Sequence, residues 1–204
     1  MYLFGASGHG KVVAEVAESV GMKISGFIDD NPHFQKIWDY PVITELPASL
    51  QSLFLSVGNN QTRKKLAQRF ENQNFDVIIH DSVNLSHRAL INDGTVIMAG
   101  VSINTDVKIG RHCILNTNSS VDHDCVIGDF VHISPNAALA GGITIGEGAH
   151  IGIGASVIQG LKIGKWAIIG AGAVVLKDVP DFAVVVGNPG KIIKYQQINE
   201  FDQT

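Results

Sequence analysis

Aliphatic residues recur at every sixth position over nearly half of the chain, and this period constrains the fold more than any other feature of the sequence. All fifteen positions of the series from residue 91 to residue 175 are aliphatic, with no insertion between them. A single hexapeptide cannot bury its aliphatic side chain, but stacked coils align these side chains into a continuous interior column. The period therefore predicts a hexapeptide-repeat β-helix, in which each repeat is one short strand and a turn.

The first 80 residues follow a different pattern, in which short apolar runs alternate with helical periodicity. Strands are predicted at residues 2–4, 24–28, 53–57 and 75–79, and helices at 11–20 and from 61 to about 73, with Asn60 as an N-cap. This alternation indicates a small parallel α/β sheet of Rossmann-like type. The predicted division is an α/β domain over residues 1–82, a β-helix over 83–194 and a C-terminal tail over 195–204.

The composition excludes several classes of protein. The hydrophobic fraction is 45% and the net charge is only -4, which excludes extended disorder and gives no basic face for nucleic acid. Cys113 and Cys125, the two cysteines, lie in aliphatic stretches and are expected to be buried and reduced. No signal peptide, membrane span or metal centre is evident, so we expect a soluble cytoplasmic protein without a metal.

Several motifs resemble a known family. The repeats resemble those of left-handed parallel β-helix acyltransferases, whose triangular prism takes 18 residues per coil, so that residues 91–180 make about five coils. Residues 187–191, Gly-Asn-Pro-Gly-Lys, are similar to the Gly-x-Pro-Ala-Lys closing motif of that superfamily, with Gly190 in place of the usual alanine. Residues 5–10, 27–30 and 58–60 resemble the nucleotide-sugar-binding domain of sugar N- and O-acetyltransferases, the family that contains the bacillosamine-pathway N-acetyltransferases. The resemblance extends from residue 2 to about residue 194.

The glycine-rich loop at residues 5–10 is a candidate phosphate site. It reads Gly-Ala-Ser-Gly-His-Gly, follows a strand and opens a helix, so its backbone N–H groups can approach an anion. Spacing alone leaves a nucleotide loop and an ordinary tight turn equally open. The resemblance favours a nucleotide-sugar site, for which the candidate residues are Gly5, Ser7, Gly8, His9, Asp29, Asp30, Gly58 and Asn59.

The segment Asn-Thr-Asn-Ser-Ser-Val-Asp-His-Asp-Cys at residues 116–125 matches the part of the family that carries the catalytic histidine. By this resemblance His123 is the general base and Asp124 supports it, although the family commonly has glutamate there. Gly141 follows His123 by 18 residues, so a triangular coil stacks the two and leaves a backbone N–H for the oxyanion. The resemblance also assigns contacts with acetyl-CoA to His132, Gly141, Ile153 and Ala171.

These features predict an acetyltransferase that moves an acetyl group from acetyl-CoA to a nucleotide-linked amino sugar. The expected acceptor is the 4-amino group of a 4-amino-4,6-dideoxy sugar carried by UDP or dTDP, and the amine attacks the thioester directly. One alternative is O-acetylation of a sugar of the sialic acid type, and another is a non-catalytic scaffold that binds a nucleotide sugar.

The resemblance further implies a homotrimer with active sites between neighbouring prisms. Apolar residues outside the aliphatic series, namely Met98, Ile158, Ile168 and Val174, are expected to point outward and mark the interface.

Overall fold

The N-terminal domain is a small α/β sheet with two helices. A computed structural model describes residues 1–48 and 50–197 of the chain. The domain contains β1 (Tyr2–Phe4), α1 (Gly8–Ser19), β2 (Gly26–Ile28), β3 (Lys36–Ile37), β4 (Tyr40–Ile43), β5 (Leu53–Leu55) and α2 (Asn60–Arg69). The strand order is β3-β4-β2-β1-β5, and every neighbouring pair is parallel except the β3–β4 hairpin.

The helices differ from the sequence prediction at their N-termini. α1 begins at Gly8 rather than at residue 11, so the loop after β1 is short and part of the glycine motif lies in the first helical turn. α2 is capped by Asn59 rather than Asn60, because the Asn59 side chain accepts a hydrogen bond from the Thr62 N–H at 2.9 Å. A glycine-rich run gives no apolar periodicity, which is why the predicted start of α1 was three residues late.

Residues 78–195 form a left-handed triangular prism of short strands, all parallel except the last. They are β6 (Ile78–Ile79), β7 (Asn84–Leu85), β8 (Leu90–Ile91), β9 (Val96–Ile97), β10 (Ser102–Ile103), β11 (Lys108–Ile109), β12 (Ile114–Leu115), β13 (Ser120–Val121), β14 (Val126–Ile127), β15 (His132–Ile133), β16 (Ala138–Leu139), β17 (Thr144–Ile145), β18 (His150–Ile151), β19 (Ser156–Val157), β20 (Lys162–Ile163), β21 (Ile168–Ile169), β22 (Val174–Val175), β23 (Ala183–Val186) and the antiparallel β24 (Lys191–Tyr195).

Every third strand belongs to the same face of the prism. Face 1 contains β6, β9, β12, β15, β18, β21 and β23, with β24 at its end; face 2 runs from β7 to β22, and face 3 from β8 to β20. Partners in adjacent coils are 18 residues apart, as in the pairing of Val121 with Leu139. The second residue of each strand points inward, so the aliphatic series forms the buried interior column that the period predicts.

The prism begins before the start of the series recognised in the sequence. Ile79 and Leu85 are in phase with Ile91, and their strands pair with the next coil in the same 18-residue register. Cys113 and Cys125 are free thiols inside the prism, as predicted.

Glycine, asparagine and aspartate occupy most of the positive-φ corner positions of the prism. From residue 94 to residue 172 every sixth residue takes a positive φ, a conformation that glycine, asparagine and aspartate tolerate best. His112, Phe130 and Trp166 are the bulky exceptions, and all three lie on the corner between faces 3 and 1. His112 stacks on Phe130 at 5.2 Å between ring centroids, so packing against neighbouring rings compensates for the unfavourable backbone.

The α/β domain packs on face 1. Val13 and Ala17 of α1 share a buried cluster with Val96 and Met98 of the prism, so Met98 is 1% exposed and the expectation that it marks an outward interface was wrong. Of the other residues named for that interface, Ile158 is exposed and Ile168 and Val174 are half-buried. No helix in residues 1–48 and 50–197 is long and apolar enough to cross a membrane.

Candidate functional site

The loop between β1 and α1 brings backbone N–H groups to a helix N-terminus. Gly5 has a φ of 117°, and a Cβ at this position would lie 2.9 Å from the Ser56 carbonyl oxygen. A Cβ at Gly10 would collide with the Gly5 carbonyl, so the turn requires glycine at both positions. The exposed Ser7 and Gly8 then begin α1 with free N–H groups, an arrangement that favours an anion.

The two acidic residues after β2 already have protein partners. The Asp29 carboxylate accepts hydrogen bonds from the N–H groups of Ala6 at 2.9 Å and Asn31 at 3.0 Å. Asp30 forms an exposed ion pair with Arg69 at 2.7 Å. Asp29 therefore shapes the glycine-rich loop, and any contact with a ribose hydroxyl comes in addition to this role.

Three histidines lie beside this loop, of which His132 is buried and His9 and His150 are half-buried. His9 in α1 faces His132 of β15, with 6.4 Å between ring centroids, and His132 lies 4.7 Å from His150 in the next coil. Burial lowers the pKa of His9 to about 4, and burial together with the neighbouring His150 lowers the pKa of His132 to about 3. These imidazoles are neutral at physiological pH, so each can donate or accept a hydrogen bond without carrying charge.

His150 belongs to no motif of the sequence, but the structure places it in this cluster. Its Nε2 atom lies 2.9 Å from the Ser134 hydroxyl, and burial lowers its pKa. The 18-residue spacing between His132 and His150 was the signal, because residues at this spacing pair in adjacent coils.

His123 stands on a different part of the prism, at the corner between faces 2 and 3. Its side chain is 55% exposed, and its Nδ1 atom lies 2.8 Å from Asp124 Oδ2. The hydrogen bond to Asp124 and the charge of Asp122 raise the pKa of His123. The shorter aspartate therefore reaches the imidazole, which keeps Nε2 available to take a proton from a substrate.

Gly141 lies directly under the His123 imidazole in the next coil. A Cβ at Gly141 would be 2.5 Å from His123 Nε2, so a side chain there would displace the ring from this position. The Gly142 N–H donates to the His123 carbonyl at 2.8 Å and fixes this stacking. Among the described residues the Gly141 N–H has no hydrogen-bond partner, which leaves it free for an external oxygen.

The predicted residues thus fall into separate groups within one chain. The loop residues, His9 and His132 lie at face 1, whereas His123, Asp124 and Gly141 lie at the opposite corner. The exposed Ile153 and Ala171 lie on the third corner, between faces 1 and 2. Among the described residues no group of histidine, cysteine or acidic side chains is arranged to hold a metal ion.

A glycine-rich α/β domain joined to a hexapeptide prism with an exposed histidine–carboxylate pair defines a hexapeptide-repeat transferase. Residues 1–70 match the PglD N-terminal domain, and residues 106–141, 124–152 and 142–177 match the bacterial transferase hexapeptide. The chain belongs to the family of acetyltransferases that combine these two domains, as the following solved structures show.

A variant of perosamine N-acetyltransferase from Caulobacter crescentus, in complex with CoA and GDP-perosamine, is 37% identical over 95% of this chain and 96% of that chain, with a TM-score of 0.91. The acetyltransferase domain of PglB from Neisseria gonorrhoeae, in complex with acetyl coenzyme A, is 37% identical over 94% of this chain and 98% of that chain, with a TM-score of 0.89.

Among curated proteins, UDP-N-acetylbacillosamine N-acetyltransferase of Bacillus subtilis is 42% identical over 108 residues. That match covers 48% of this chain and only half of the curated relative.

Proposed function

We propose that this protein transfers the acetyl group of acetyl-CoA to the 4-amino group of a nucleotide-linked 4-amino-4,6-dideoxy sugar. The observation that carries the proposal is the His123–Asp124 pair above the free Gly141 N–H, in a chain 37% identical to a perosamine N-acetyltransferase that binds CoA and GDP-perosamine. The co-substrate is acetyl-CoA, and no metal takes part in the proposed reaction.

In the proposed mechanism His123 Nε2 removes a proton from the attacking amine as the new C–N bond forms. Asp124 orients the imidazole through Nδ1 and stabilises its protonated form, which makes His123 a stronger base. The thioester oxygen, which becomes negatively charged, accepts a hydrogen bond from the Gly141 N–H. Collapse of the tetrahedral intermediate breaks the C–S bond and releases coenzyme A.

The amine attacks the thioester directly, without an acetylated enzyme. Both cysteines point into the prism, and burial raises the pKa of the Cys113 thiol to about 12. A buried neutral thiol is neither accessible nor nucleophilic at neutral pH. The Ser134–His150 pair lies on face 1, away from the corner that carries His123.

The glycine-rich loop and the N-terminus of α1 hold the nucleotide diphosphate in this proposal. The sequence predicted UDP or dTDP as the nucleotide. The relatives add GDP, since one is named for a UDP-linked sugar and another is bound to GDP-perosamine. The nucleotide binds away from the reacting nitrogen, and the energy of this binding positions the nitrogen for attack.

A homotrimer completes the site in this proposal. Within one chain the nucleotide loop and His123 lie on opposite sides of the prism. A neighbouring prism related by a threefold axis brings its His123 corner to the substrate domain of the first chain, which a single chain cannot do. The Ile153 and Ala171 corner is then available for CoA at the same interface. We place the reaction in the cytoplasm, where acetyl-CoA and nucleotide sugars are made.

A coenzyme A release assay tests this function. The panel contains UDP-, dTDP- and GDP-linked 4-amino sugars, the corresponding 4-hydroxy sugars and free sialic acid. We expect release only with nucleotide-linked amino sugars. Release with hydroxyl acceptors alone would establish O-acetylation instead, and release with none would favour a non-catalytic scaffold.

A further inference from the structure

Arg63 in α2 is the most unusual charged residue of the described chain. Its side chain is 1% exposed, yet none of the ion pairs among the described residues includes it. Burial lowers its pKa to about 10, so the guanidinium remains charged at neutral pH. A buried cation without a counterion is costly unless its N–H groups are fully used.

All partners of Arg63 are neutral oxygens, and they come from both domains. Nε donates to the His112 carbonyl at 2.8 Å and Nη2 to the Phe130 carbonyl at 3.0 Å, both on the prism corner between faces 3 and 1. Nη2 also donates to Asn60 Oδ1 at 2.9 Å. Nη1 donates to the carbonyls of Val57 and Gly58 at 2.8 and 3.3 Å. One planar group therefore fastens the turn after β5 to two coils of the prism.

This contact determines where the next N–H groups of the turn point. The peptide bonds that follow Val57 and Gly58 are trans, so each N–H is directed opposite to the carbonyl of the same peptide unit. Because Arg63 holds both carbonyls, the N–H groups of Gly58 and Asn59 point away from it. Among the described residues neither N–H has a hydrogen-bond partner.

The turn is also in contact with the glycine-rich loop. A Cβ at Gly58 would lie 3.9 Å from His9 Cγ, and a Cβ at Gly5 would lie 2.9 Å from Val57 Cγ2. Two successive free N–H groups next to a helix N-terminus are able to donate hydrogen bonds to an anion. The uncompensated charge of Arg63 adds a positive potential there, and it contributes to the lowered pKa of His9.

We infer that Arg63 is a positioning residue for the diphosphate of the substrate, because it aims the Gly58 and Asn59 N–H groups at the phosphates while anchoring the turn to the prism. This inference rests on the proposed function for the identity of the ligand. It does not require Arg63 to touch the substrate.

Binding of UDP, dTDP and GDP, measured by calorimetry beside the parent nucleosides, tests the inference without acetyl transfer. We expect Arg63→Met to lower the affinity for the diphosphate that the wild type prefers by about tenfold or more, which is the scale of a lost charge-assisted contact. The affinity for the nucleoside should not change. In turnover, the KM for the nucleotide sugar rises and that for acetyl-CoA does not. Equal losses for diphosphate and nucleoside would overturn the inference.

Two comparisons separate positioning from general docking. Lys64→Met removes another contact between the domains, the 2.8 Å ion pair with Glu147, and is expected to keep diphosphate affinity. Arg63→Lys keeps the charge but cannot reach acceptors on both domains, so we expect no recovery. A loss of diphosphate affinity in Lys64→Met, or full diphosphate affinity in Arg63→Lys, would contradict the positioning role.

A second pair of variants tests the N–H groups themselves and does not depend on how well Arg63 variants fold. Asn59 has a φ of -75°, which proline adopts without strain. Asn59→Pro and Asn59→Ala both remove the cap of α2, but only proline removes the N–H. We expect the proline variant to bind the diphosphate about fivefold or more weakly than the alanine variant. Equal affinities would overturn the inference. Failure of acetyl transfer with intact binding would instead count against the proposed function alone.

Discussion

His123 and His132 present the same side chain in opposite surroundings, nine residues apart on one prism. His123 lies on an exposed corner, where a hydrogen bond with Asp124 raises its pKa. His132 lies under the α/β domain, where burial and then the neighbouring His150 and Arg63 lower its pKa to about 3. The first can accept a proton at neutral pH, and the second stays neutral and can only position a ligand.

The comparison shows how a uniform repeat produces different chemistry. His132 lies in a strand and His123 in a corner turn, so the difference comes from the position within the hexapeptide and from what covers that position. A corner with aspartate in its positive-φ position supplies a carboxylate, and a face beneath a second domain removes water.

The largest expected effect is the loss of the proposed base, His123. His123→Ala should lower kcat by at least about 10²-fold, the usual scale for a general base, with little change in either KM. His87→Ala, a change of another exposed histidine, serves as the control. Steady-state kinetics with the preferred nucleotide sugar gives both values, and a kcat near that of the wild type would remove His123 from the mechanism.

The carboxylate partner should have a smaller effect that depends on pH. Asp124→Asn keeps a residue that tolerates the φ of 59° but removes the charge. Because Asp124 raises the pKa of His123, its loss should move the ascending limb of the kcat/KM profile to lower pH and reduce the plateau by about tenfold.

Asp106→Asn is the matched control for this change, since Asp106 occupies the same corner one coil earlier with the same φ. Its profile should follow that of the wild type. A limb that stays in place in Asp124→Asn, or that moves in both variants, would show that Asp124 does not tune the base.

The histidines with lowered pKa values should affect the pH dependence of stability rather than turnover. His9 and His112 have pKa values near 4, and His132 near 3, against about 6.5 in an unfolded chain. Between about pH 6.5 and pH 4 the unfolded chain binds more protons, so the free energy of unfolding should fall as the pH drops through this range and stay level above it.

Urea unfolding at several pH values measures this slope. His123→Gln should leave the decrease in place, whereas His132→Gln should make it shallower. Stability that is constant from pH 7 to pH 5 would mean that these imidazoles are not held neutral.

The sequence predicted the prism well because its period is local and repeated. Each aliphatic residue reports the same inward position, and the 18-residue register then follows from the triangular coil. The same register predicted that Gly141 lies under His123, and the structure confirms this contact. The early coils at Ile79 and Leu85 were missed, although they are in phase.

The contacts between the two domains could not be predicted in the same way. Arg63 reads as one of several cations on a polar helix, and only the fold shows that the prism covers it. Met98 looked like an outward apolar residue for the same reason. Burial beneath a second domain depends on docking, which has no period in the sequence.

Complementation between two inactive variants tests most directly whether the site is shared between chains. If the proposed homotrimer holds, His123→Ala lacks the proposed base and Asp29→Ala disrupts the nucleotide loop, so each variant alone should be nearly inactive at low nucleotide-sugar concentration. After unfolding and refolding together, mixed trimers place an intact His123 beside an intact loop at about a quarter of the interfaces. We predict recovery of activity to about that fraction of the wild type. No recovery in a mixture shown to contain mixed trimers would contradict a site formed between neighbouring chains.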